Sequence, residues 1–265
     1  MVEWKAEKFI SLSVYAPPKF GKSHLMDLFV KEFDGLVIDF AKVNRVVAPK
    51  VANGPKPRYE LVTDSLRNVG DAYTAFEHVG LDPVTQYRYI KSWEDFMFVI
   101  EEAKIYRDSS KKTNQRIWIV LDDTTNMRWQ NVLWTLQQTK HSTPSTADWT
   151  MSNLEMLSAY SILDANFNTI YVNQVKEEYV DDKATGNLIG EFYPKNLGHI
   201  VDCSLNYTSK VDDEGNEYPI LKVDALRNAW RFGKTSRIKE IEFKDVDTLT
   251  PQKILTALEF DKELW

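Results

Sequence analysis

The sequence has a single cysteine, no long apolar run and no excess of positive charge. Because Cys203 is the only cysteine, an intramolecular disulfide is excluded, which is typical of proteins in a reducing compartment. No stretch reaches the ~18 apolar residues that a membrane-spanning helix needs. The first residues, MVEWKAEKF, lack the apolar centre of a signal peptide. We therefore expect a cytoplasmic protein with no membrane partner.

The charge balance restricts the partners that the protein can bind. The chain has 33 Lys and Arg residues against 39 Asp and Glu residues, a formal net charge of −6. A surface that is basic throughout is excluded, so any contact with nucleic acid has to be local. The four histidines show no metal-ligand spacing, and a zinc site is not expected. With 265 residues, 43% of them hydrophobic, the chain can bury one large core, and we expect a single domain over residues 1–265.

Short β-rich runs alternate with segments of helical period. Strands are predicted at 10–15, 35–40, 87–90, 116–123 and 169–174, and helices at 22–33, 93–106, 127–140 and 151–165. Residues 199–265 form a strand-rich C-terminal part, with strands at 199–208, 218–226 and 236–243 and a last helix from 250. Residues 41–85 contain several prolines and are expected to be an insertion or flexible excursion. The pattern predicts an α/β fold, with a mostly parallel central sheet flanked by helices and antiparallel C-terminal strands.

The loop after the first predicted strand has the sequence of a phosphate-binding loop. Residues 16–23 read APPKFGKS and match G-x-x-x-x-G-K-[ST] except at Ala16, where alanine replaces the first glycine. Such a loop surrounds phosphates with backbone N–H groups at a helix N-terminus, while its lysine reaches the terminal phosphates and its hydroxyl binds Mg²⁺. The alternative is a turn that only starts a helix. We expect ATP and Mg²⁺ here, with these candidate ligands: Ala16, Pro17, Pro18, Lys19, Phe20, Gly21, Lys22, Ser23 and His24.

A second motif is the apolar run RIWIVLDD at 116–123, which ends in two carboxylates. In open α/β sheets, ligands bind at the carboxyl ends of the strands. We therefore expect Asp122 to hold Mg²⁺ together with Ser23, and Asp123 to orient an attacking water as a general base. In the alternative interpretation, the two aspartates form a turn and cap the following helix.

The third motif is the predicted strand 169–174, which ends in Asn173 and Gln174 and precedes a polar stretch at 176–197. With these motifs in this order, the chain resembles the RecA-like core of phage and bacterial recombination ATPases. The sequences APPKFGKS and KSWE (91–94) and the Asp-containing strand are similar to those of phage and prophage AAA-domain ATPases, which include RecA-like single-strand annealing proteins. The resemblance implies a RecA-like P-loop NTPase core that hydrolyses ATP. It also implies that Gln174 senses the terminal phosphate and that a mobile DNA-binding loop follows it.

One departure from that family concerns the residue that activates water. The glutamate that does this in RecA would fall at Ala41, so Asp39 or Asp123 would have to act instead, or hydrolysis is slow. A nucleotide-gated DNA-binding module, in which ATP only organises an oligomer, is therefore an alternative function. A DNA-packaging or other motor ATPase, which would translocate on duplex DNA, is another.

Residues 227–239 combine basic and aromatic side chains with no acid. Basic side chains neutralise phosphates, and aromatic rings stack bases at about 1–3 kcal/mol each. The alternative is a solvated strand edge protected by charge. In an oligomer, Arg227 or Arg231 could instead reach the neighbour's nucleotide. The expected partners are single-stranded DNA, further copies of the chain and a single-strand-binding protein, and the expected DNA-contacting residues are Arg227, Trp230, Arg231, Lys234 and Arg237.

Overall fold

The computed structural model describes residues 9–18, 20–33, 35–40, 58–61, 86–89, 92–109, 116–180, 183–191, 201–226, 240–243 and 249–264. The strands of these residues are β1 (Ser11–Tyr15), β2 (Gly35–Asp39), β3 (Arg58–Leu61), β4 (Gln86–Tyr89), β5 (Trp118–Asp122), β6 (Asn168–Val180), β7 (Lys183–Glu191), β8 (Cys203–Val211), β9 (Glu217–Leu226) and β10 (Glu240–Glu242). The helices are α1 (Lys22–Glu32), α2 (Trp93–Ser109), α3 (Thr124–Thr139), α4 (Thr146–Asp164) and α5 (Pro251–Ala257), and a 3₁₀ turn follows at Lys262–Leu264.

The strands form one sheet in the order β10-β9-β8-β1-β6-β5-β2-β4-β3. The strands from β3 to β8 in this order pair in parallel, and β9 and β10 continue the sheet with antiparallel pairing. The strand β7 pairs antiparallel with β6 off this path. The predicted α/β fold, with a mostly parallel sheet and antiparallel C-terminal strands, is confirmed.

Helices cover both faces of the sheet, so the central strands are buried on both sides. Every residue of β1, β2 and β5 is buried, as expected for parallel strands between two helical layers. On one face, α1 and α5 contribute Phe29 and Ile254 to an apolar cluster with Val14 of β1. On the other face, α2 and α4 contribute Phe96 and Tyr160 to a second cluster. None of the helices in the described ranges is both long enough and apolar enough to cross a membrane.

The helices α3 and α4 begin earlier than the apolar pattern predicts. The α3 helix begins at Thr124 rather than at 127, because the Asp123 side chain accepts a hydrogen bond from the backbone N–H of Asn126. The α4 helix begins at Thr146 rather than at 151, because Ser145 and Asp148 form a reciprocal capping box. Polar residues begin both helices, namely Thr124, Thr125 and Asn126 in α3 and Thr146 and Asp148 in α4, so apolar periodicity does not reveal these starts.

Two segments predicted to be irregular contain strands. The polar stretch after Gln174, predicted as a loop, is partly a β-hairpin in which β6 continues to Val180 and pairs with β7. Lys176 and Glu177 of this hairpin are exposed, so its residues need not alternate with apolar ones, which explains why its sequence reads as a loop. The predicted excursion at 41–85 contains β3, which pairs in parallel with β4, so residues 58–61 are regular. Residues 41–57 and 62–85 lie outside the described ranges.

Candidate nucleotide-binding site

The parallel pairing brings the three sequence motifs to one edge of the sheet. The last residue of β1, Tyr15, lies opposite Asn173 of β6, and Leu121 of β5 lies opposite Tyr171 of β6. The loop that starts at Ala16, the aspartates that follow Leu121 and the glutamine that follows Asn173 therefore share the carboxyl ends of neighbouring strands. This is the edge at which open α/β sheets bind ligands.

The loop between β1 and α1 has the geometry of an anion site. The backbone N–H of Phe20 donates to the carbonyl oxygen of Pro17 over 3.3 Å and closes a turn. Gly21 follows with φ 93° and ψ 20°, a left-handed conformation that favours glycine, and it is the N-cap of α1. Gly21 provides no side-chain cap, and the first turn of α1 contains no acidic residue. The helix N-terminus is therefore left with N–H donors and a positive dipole end that suit a phosphate.

Ala16, at the first glycine position of the motif, is accommodated without strain. It is fully buried in the cluster beneath α1, and φ is not positive at this residue. A glycine is therefore not required here for conformational reasons. The carbonyl oxygens of Ala16 and Pro17 accept hydrogen bonds from Lys22 Nζ at 2.7 and 3.2 Å. The ammonium group thus lies across the first half of the loop.

The Lys22 ammonium lies within electrostatic range of the two aspartates that follow β5. Partial burial lowers the pKa of Lys22, and the negative charges of Asp122 and Asp123 oppose that shift. The N–H groups at the start of α1 and the Lys22 ammonium lie on one side, and the carboxylates of Asp122 and Asp123 lie on the other. This arrangement fits a nucleotide phosphate chain with its Mg²⁺.

Asp122 and Asp39 lie side by side at the ends of neighbouring strands. The two residues are opposite each other in the parallel pair of β5 and β2. Asp122 is 4% exposed, whereas Asp39 has no exposed surface. Both residues are therefore buried, and Asp39, the other candidate for activating water, is slightly more deeply buried than Asp122.

Asp123 has two hydrogen-bonding roles, one local and one across the site. Its Oδ1 accepts from the backbone N–H of Asn126 at 2.8 Å, which is the helix cap of the alternative interpretation. Its Oδ2 accepts from Gln174 Nε2 at 2.9 Å. The structure thus brings together two residues that the sequence assigned separately to water activation and phosphate sensing.

Behind the site lies a buried polar network that the sequence analysis did not identify. Thr124 Oγ1 donates to Asn173 Oδ1 at 2.6 Å, and Asn173 Nδ2 donates to Ser13 Oγ at 2.8 Å. All three side chains are fully buried. The network joins β1, β6 and the start of α3. It therefore fixes β1, which leads into the loop, relative to Asp122 and Asp123. Its only sequence signal is the presence of single polar residues within apolar strands.

Several candidate residues lie outside what the structure describes. Lys19 is among them, as are the side chains of Ser23 and His24 and residue Ala41. So are all the candidate DNA-contacting residues, namely Arg227, Trp230, Arg231, Lys234 and Arg237. Their roles stay predictions.

No protein-family model matches the chain, and no curated protein matches it. Among solved structures, it is similar to one described as a prototypical ATPase from the type III secretion system of pathogenic bacteria. That match has 10% identity and a TM-score of 0.43, and covers 96% of this chain and 61% of the other. Another is the assembled ATPase EscN in complex with its central stalk EscO from the enteropathogenic E. coli type III secretion system. That match has 10% identity and a TM-score of 0.42, and covers 76% of this chain and 42% of the other. The chain thus matches less than two thirds of the length of either structure.

Proposed function

We propose that this protein binds and hydrolyses ATP and acts on single-stranded DNA in recombination, repair or annealing. The observation that carries the proposal is the convergence of Lys22, Asp122, Asp123 and Gln174 at the carboxyl edge of one parallel sheet. A loop lysine, strand-end carboxylates and a polar residue on the intervening strand are the parts that phosphoryl transfer needs.

The nucleotide would be held by the loop and the first turn of α1. Gly21 allows the backbone to approach the phosphates, and Lys22 would exchange its bonds to the Ala16 and Pro17 carbonyls for bonds to terminal phosphate oxygens. Asp122 and the Ser23 hydroxyl would hold Mg²⁺. When bound, Mg²⁺ supplies neutralising charge at the transferring phosphoryl group.

Gln174 and Asp123 would link the nucleotide to the DNA-facing part of the molecule. Gln174 lies at the base of the β6–β7 hairpin, opposite Glu191, and donates to Asp123 at the other side of the site. Asp123 would accept a proton from the attacking water while Gln174 holds its carboxylate in place. A loss of that hydrogen bond would free the base of the hairpin to move.

The proposal that the protein acts on DNA, and that it forms oligomers, rests on residues elsewhere in the chain. The acid-free basic segment at 227–239 provides charge and aromatic rings for single-strand binding. On α3, Trp129 and Leu133 are four residues apart and 54% and 58% exposed, which is unusual for large apolar side chains. Because α3 starts at the site, a neighbouring copy bound to this face would lie close to the nucleotide.

A second candidate function is a DNA-binding module gated by ATP with little hydrolysis. It is favoured by the state of the two carboxylates that would activate water. Asp39 is fully buried, and both oxygens of Asp123 accept hydrogen bonds within the protein. If neither carboxylate becomes free to bind the attacking water when nucleotide binds, ATP would stabilise one conformation without rapid turnover.

The experiment that separates these functions is Mg²⁺-dependent ATP hydrolysis by the purified protein, with single-stranded DNA, with duplex DNA and without DNA. Lys22→Ala is the loss-of-function variant. The matched control is Lys104→Ala, which removes an exposed lysine from a surface ion pair on α2. We expect single-stranded DNA to stimulate turnover by the wild type and by Lys104→Ala, and Lys22→Ala to abolish it.

The other outcomes have definite meanings. ATP binding without turnover in any condition overturns the hydrolase proposal and supports the gated module. Stimulation by duplex DNA alone supports a packaging or other motor ATPase. Turnover that DNA does not affect overturns the proposed action on DNA.

A further inference from the structure

The C-terminal strand β8 places an aromatic side chain directly behind the phosphate-binding loop. Asn206 of β8 lies opposite Tyr15, the last residue of β1. Tyr207 is therefore level with the point at which the chain leaves the sheet and enters the loop. None of the motifs in the sequence includes Tyr207, and β8 is about 190 residues from the loop in sequence.

Tyr207 contacts two consecutive residues of the loop. Its ring packs edge-on against the ring of Phe20, with centroids 5.0 Å apart and an interplanar angle of 80°. A Cβ atom on Gly21 would lie 3.8 Å from Tyr207 Cε1, so the same ring also borders the glycine at the N-cap of α1. Edge-to-face geometry is a favourable arrangement for an aromatic pair.

Tyr207 is itself fixed from the other side. Its ring stacks on Phe243, which directly follows β10, with centroids 6.2 Å apart and an interplanar angle of 22°. Only 2% of Tyr207 is exposed, whereas Phe20 is partly exposed. The rings of Phe243, Tyr207 and Phe20 therefore form a row from the C-terminal strands to the loop, with the buried Tyr207 in the middle.

The loop needs such support, because its own sequence does little to fix its second half. Prolines 17 and 18 restrict the first half, and Lys22 Nζ bonds to carbonyls there. Among the described residues, Phe20 N–H donates to Pro17 within the loop, and the Gly21 carbonyl accepts from Leu25 N–H in α1. Gly21 is the most flexible residue type, so these two backbone bonds leave its N–H side without support from the loop itself.

We infer that Tyr207 is a positioning residue for nucleotide binding, holding Phe20 and Gly21 from the sheet side so that their N–H groups face the phosphates. This inference rests on the proposed binding of a nucleotide by the loop. Tyr207 touches no phosphate itself, and it acts through the shape of the loop. Because a preorganised loop loses less entropy on binding, removing the ring weakens affinity for the nucleotide.

The test compares Tyr207→Leu with Tyr207→Phe and with Phe33→Leu. Phe33→Leu is the matched control, because it removes a ring that stacks on Trp118 in the same cluster. Phe33 directly follows the C-terminal end of α1, far from the loop at its N-terminal end. Two measurements are made on each protein. One is hydrogen exchange of the backbone amides at residues 19–24 without nucleotide, and the other is the dissociation constant of a fluorescent ATP analogue with Mg²⁺.

We expect Tyr207→Leu to accelerate exchange in the loop and to raise the dissociation constant about three- to tenfold. Tyr207→Phe keeps the ring, so its loop exchange and its dissociation constant should equal those of the wild type. Phe33→Leu should lower the unfolding temperature but change neither the exchange of the loop amides nor the dissociation constant. Phe20→Leu removes the partly exposed ring of the same pair, and we expect the same acceleration of exchange, which keeps the test decisive if Tyr207→Leu fails to fold.

The inference is overturned if loop exchange in Tyr207→Leu equals that of the wild type, or if Phe33→Leu accelerates it equally. It is also overturned if exchange accelerates while the dissociation constant is unchanged. Should the wild type not bind the ATP analogue, the proposed function fails, whereas the exchange measurement still decides whether Tyr207 holds the loop.

Discussion

Gln174 Nε2 donates a hydrogen bond of 2.9 Å to Asp123 Oδ2, which joins β6 to the residue that caps α3. On one side of this bond, β6 continues into the hairpin with β7. On the other side, Asp123 directly follows Asp122, the candidate Mg²⁺ ligand. A change at the terminal phosphate that moves the Asp123 carboxylate would therefore alter the base of the hairpin.

The first prediction concerns this hydrogen bond. In Gln174→Leu the side chain is one atom shorter and cannot donate, so stimulation of ATP hydrolysis by single-stranded DNA should fall about tenfold or more. The affinity for nucleotide should change much less, because the loop residues that hold phosphate are untouched. Steady-state hydrolysis and equilibrium nucleotide binding provide the two measurements.

Gln137→Leu is the control for that variant, because Gln137 is an exposed glutamine on α3. Equal losses of stimulation in the two variants would contradict a specific role for Gln174. Undiminished stimulation in Gln174→Leu would contradict the proposed link between the site and the hairpin.

The second prediction separates the two roles of Asp123. Asparagine caps helices about as well as aspartate, so Asp123→Asn should keep the cap and lose only the acceptor for Gln174 Nε2, which costs about 0.5–1.5 kcal/mol of the free energy of unfolding. It cannot act as a general base, and hydrolysis should fall about 10²- to 10⁴-fold. Asp123→Ala should lose a further ~1 kcal/mol of stability with the cap. Urea unfolding and turnover are measured on both variants.

Asp39→Asn provides the comparison for Asp123. We expect the smaller loss of turnover from Asp39→Asn, since Asp39 has no exposed surface in this structure. Full activity in Asp123→Asn, together with a large loss in Asp39→Asn, would assign water activation to Asp39.

The third prediction concerns the left-handed conformation of Gly21. Gly21→Ala should cost about 1–2 kcal/mol of backbone strain, because φ is 93° there, and should weaken ATP binding. Gly215 in the turn between β8 and β9 has a similar φ of 86°, and no atom lies within 4 Å of a Cβ added there. Gly215→Ala should therefore lose similar stability and bind ATP normally. Weakened binding in both variants, measured by calorimetry, would contradict a local role for Gly21.

The fourth prediction concerns the network of Ser13, Asn173 and Thr124. In Asn173→Leu, the buried hydroxyl groups of Ser13 and Thr124 both lose their bonds to the amide. Since each buried polar group left unpaired costs about 1–3 kcal/mol, the free energy of unfolding should fall by more than ~2 kcal/mol. Urea denaturation measures it. A loss below ~1 kcal/mol would show that the network adds little to stability.

Much of the fold could be predicted from the sequence, because the physical signals are local. The strands β1, β2 and β5 are buried throughout and read as mostly apolar runs. The start of α3 is less visible, since it is set by the side chain of Asp123. The β6–β7 hairpin carries exposed polar residues, and its sequence therefore does not distinguish it from a loop.

The site could be predicted in its parts but not in its contacts. The sequence motifs place Lys22 at the start of a helix and Asp122 and Gln174 at the ends of predicted strands, and the roles of these residues stay predictions. The Gln174–Asp123 bond joins residues that are 51 positions apart, and it depends on the strand order. The support of the loop by Tyr207 depends on the pairing of β8 with β1, which local sequence does not encode.

Binding of the phosphates of ATP by the loop at 16–23 underlies every other proposed role in this protein. Its most direct test is a calorimetric titration of the wild type, Lys22→Ala and Lys104→Ala with ATP and Mg²⁺. We predict binding by the wild type and Lys104→Ala, and an affinity at least about tenfold lower in Lys22→Ala, since that variant loses a charge-assisted contact to phosphate. Equal affinity in all three proteins, or no binding by the wild type, would contradict the claim.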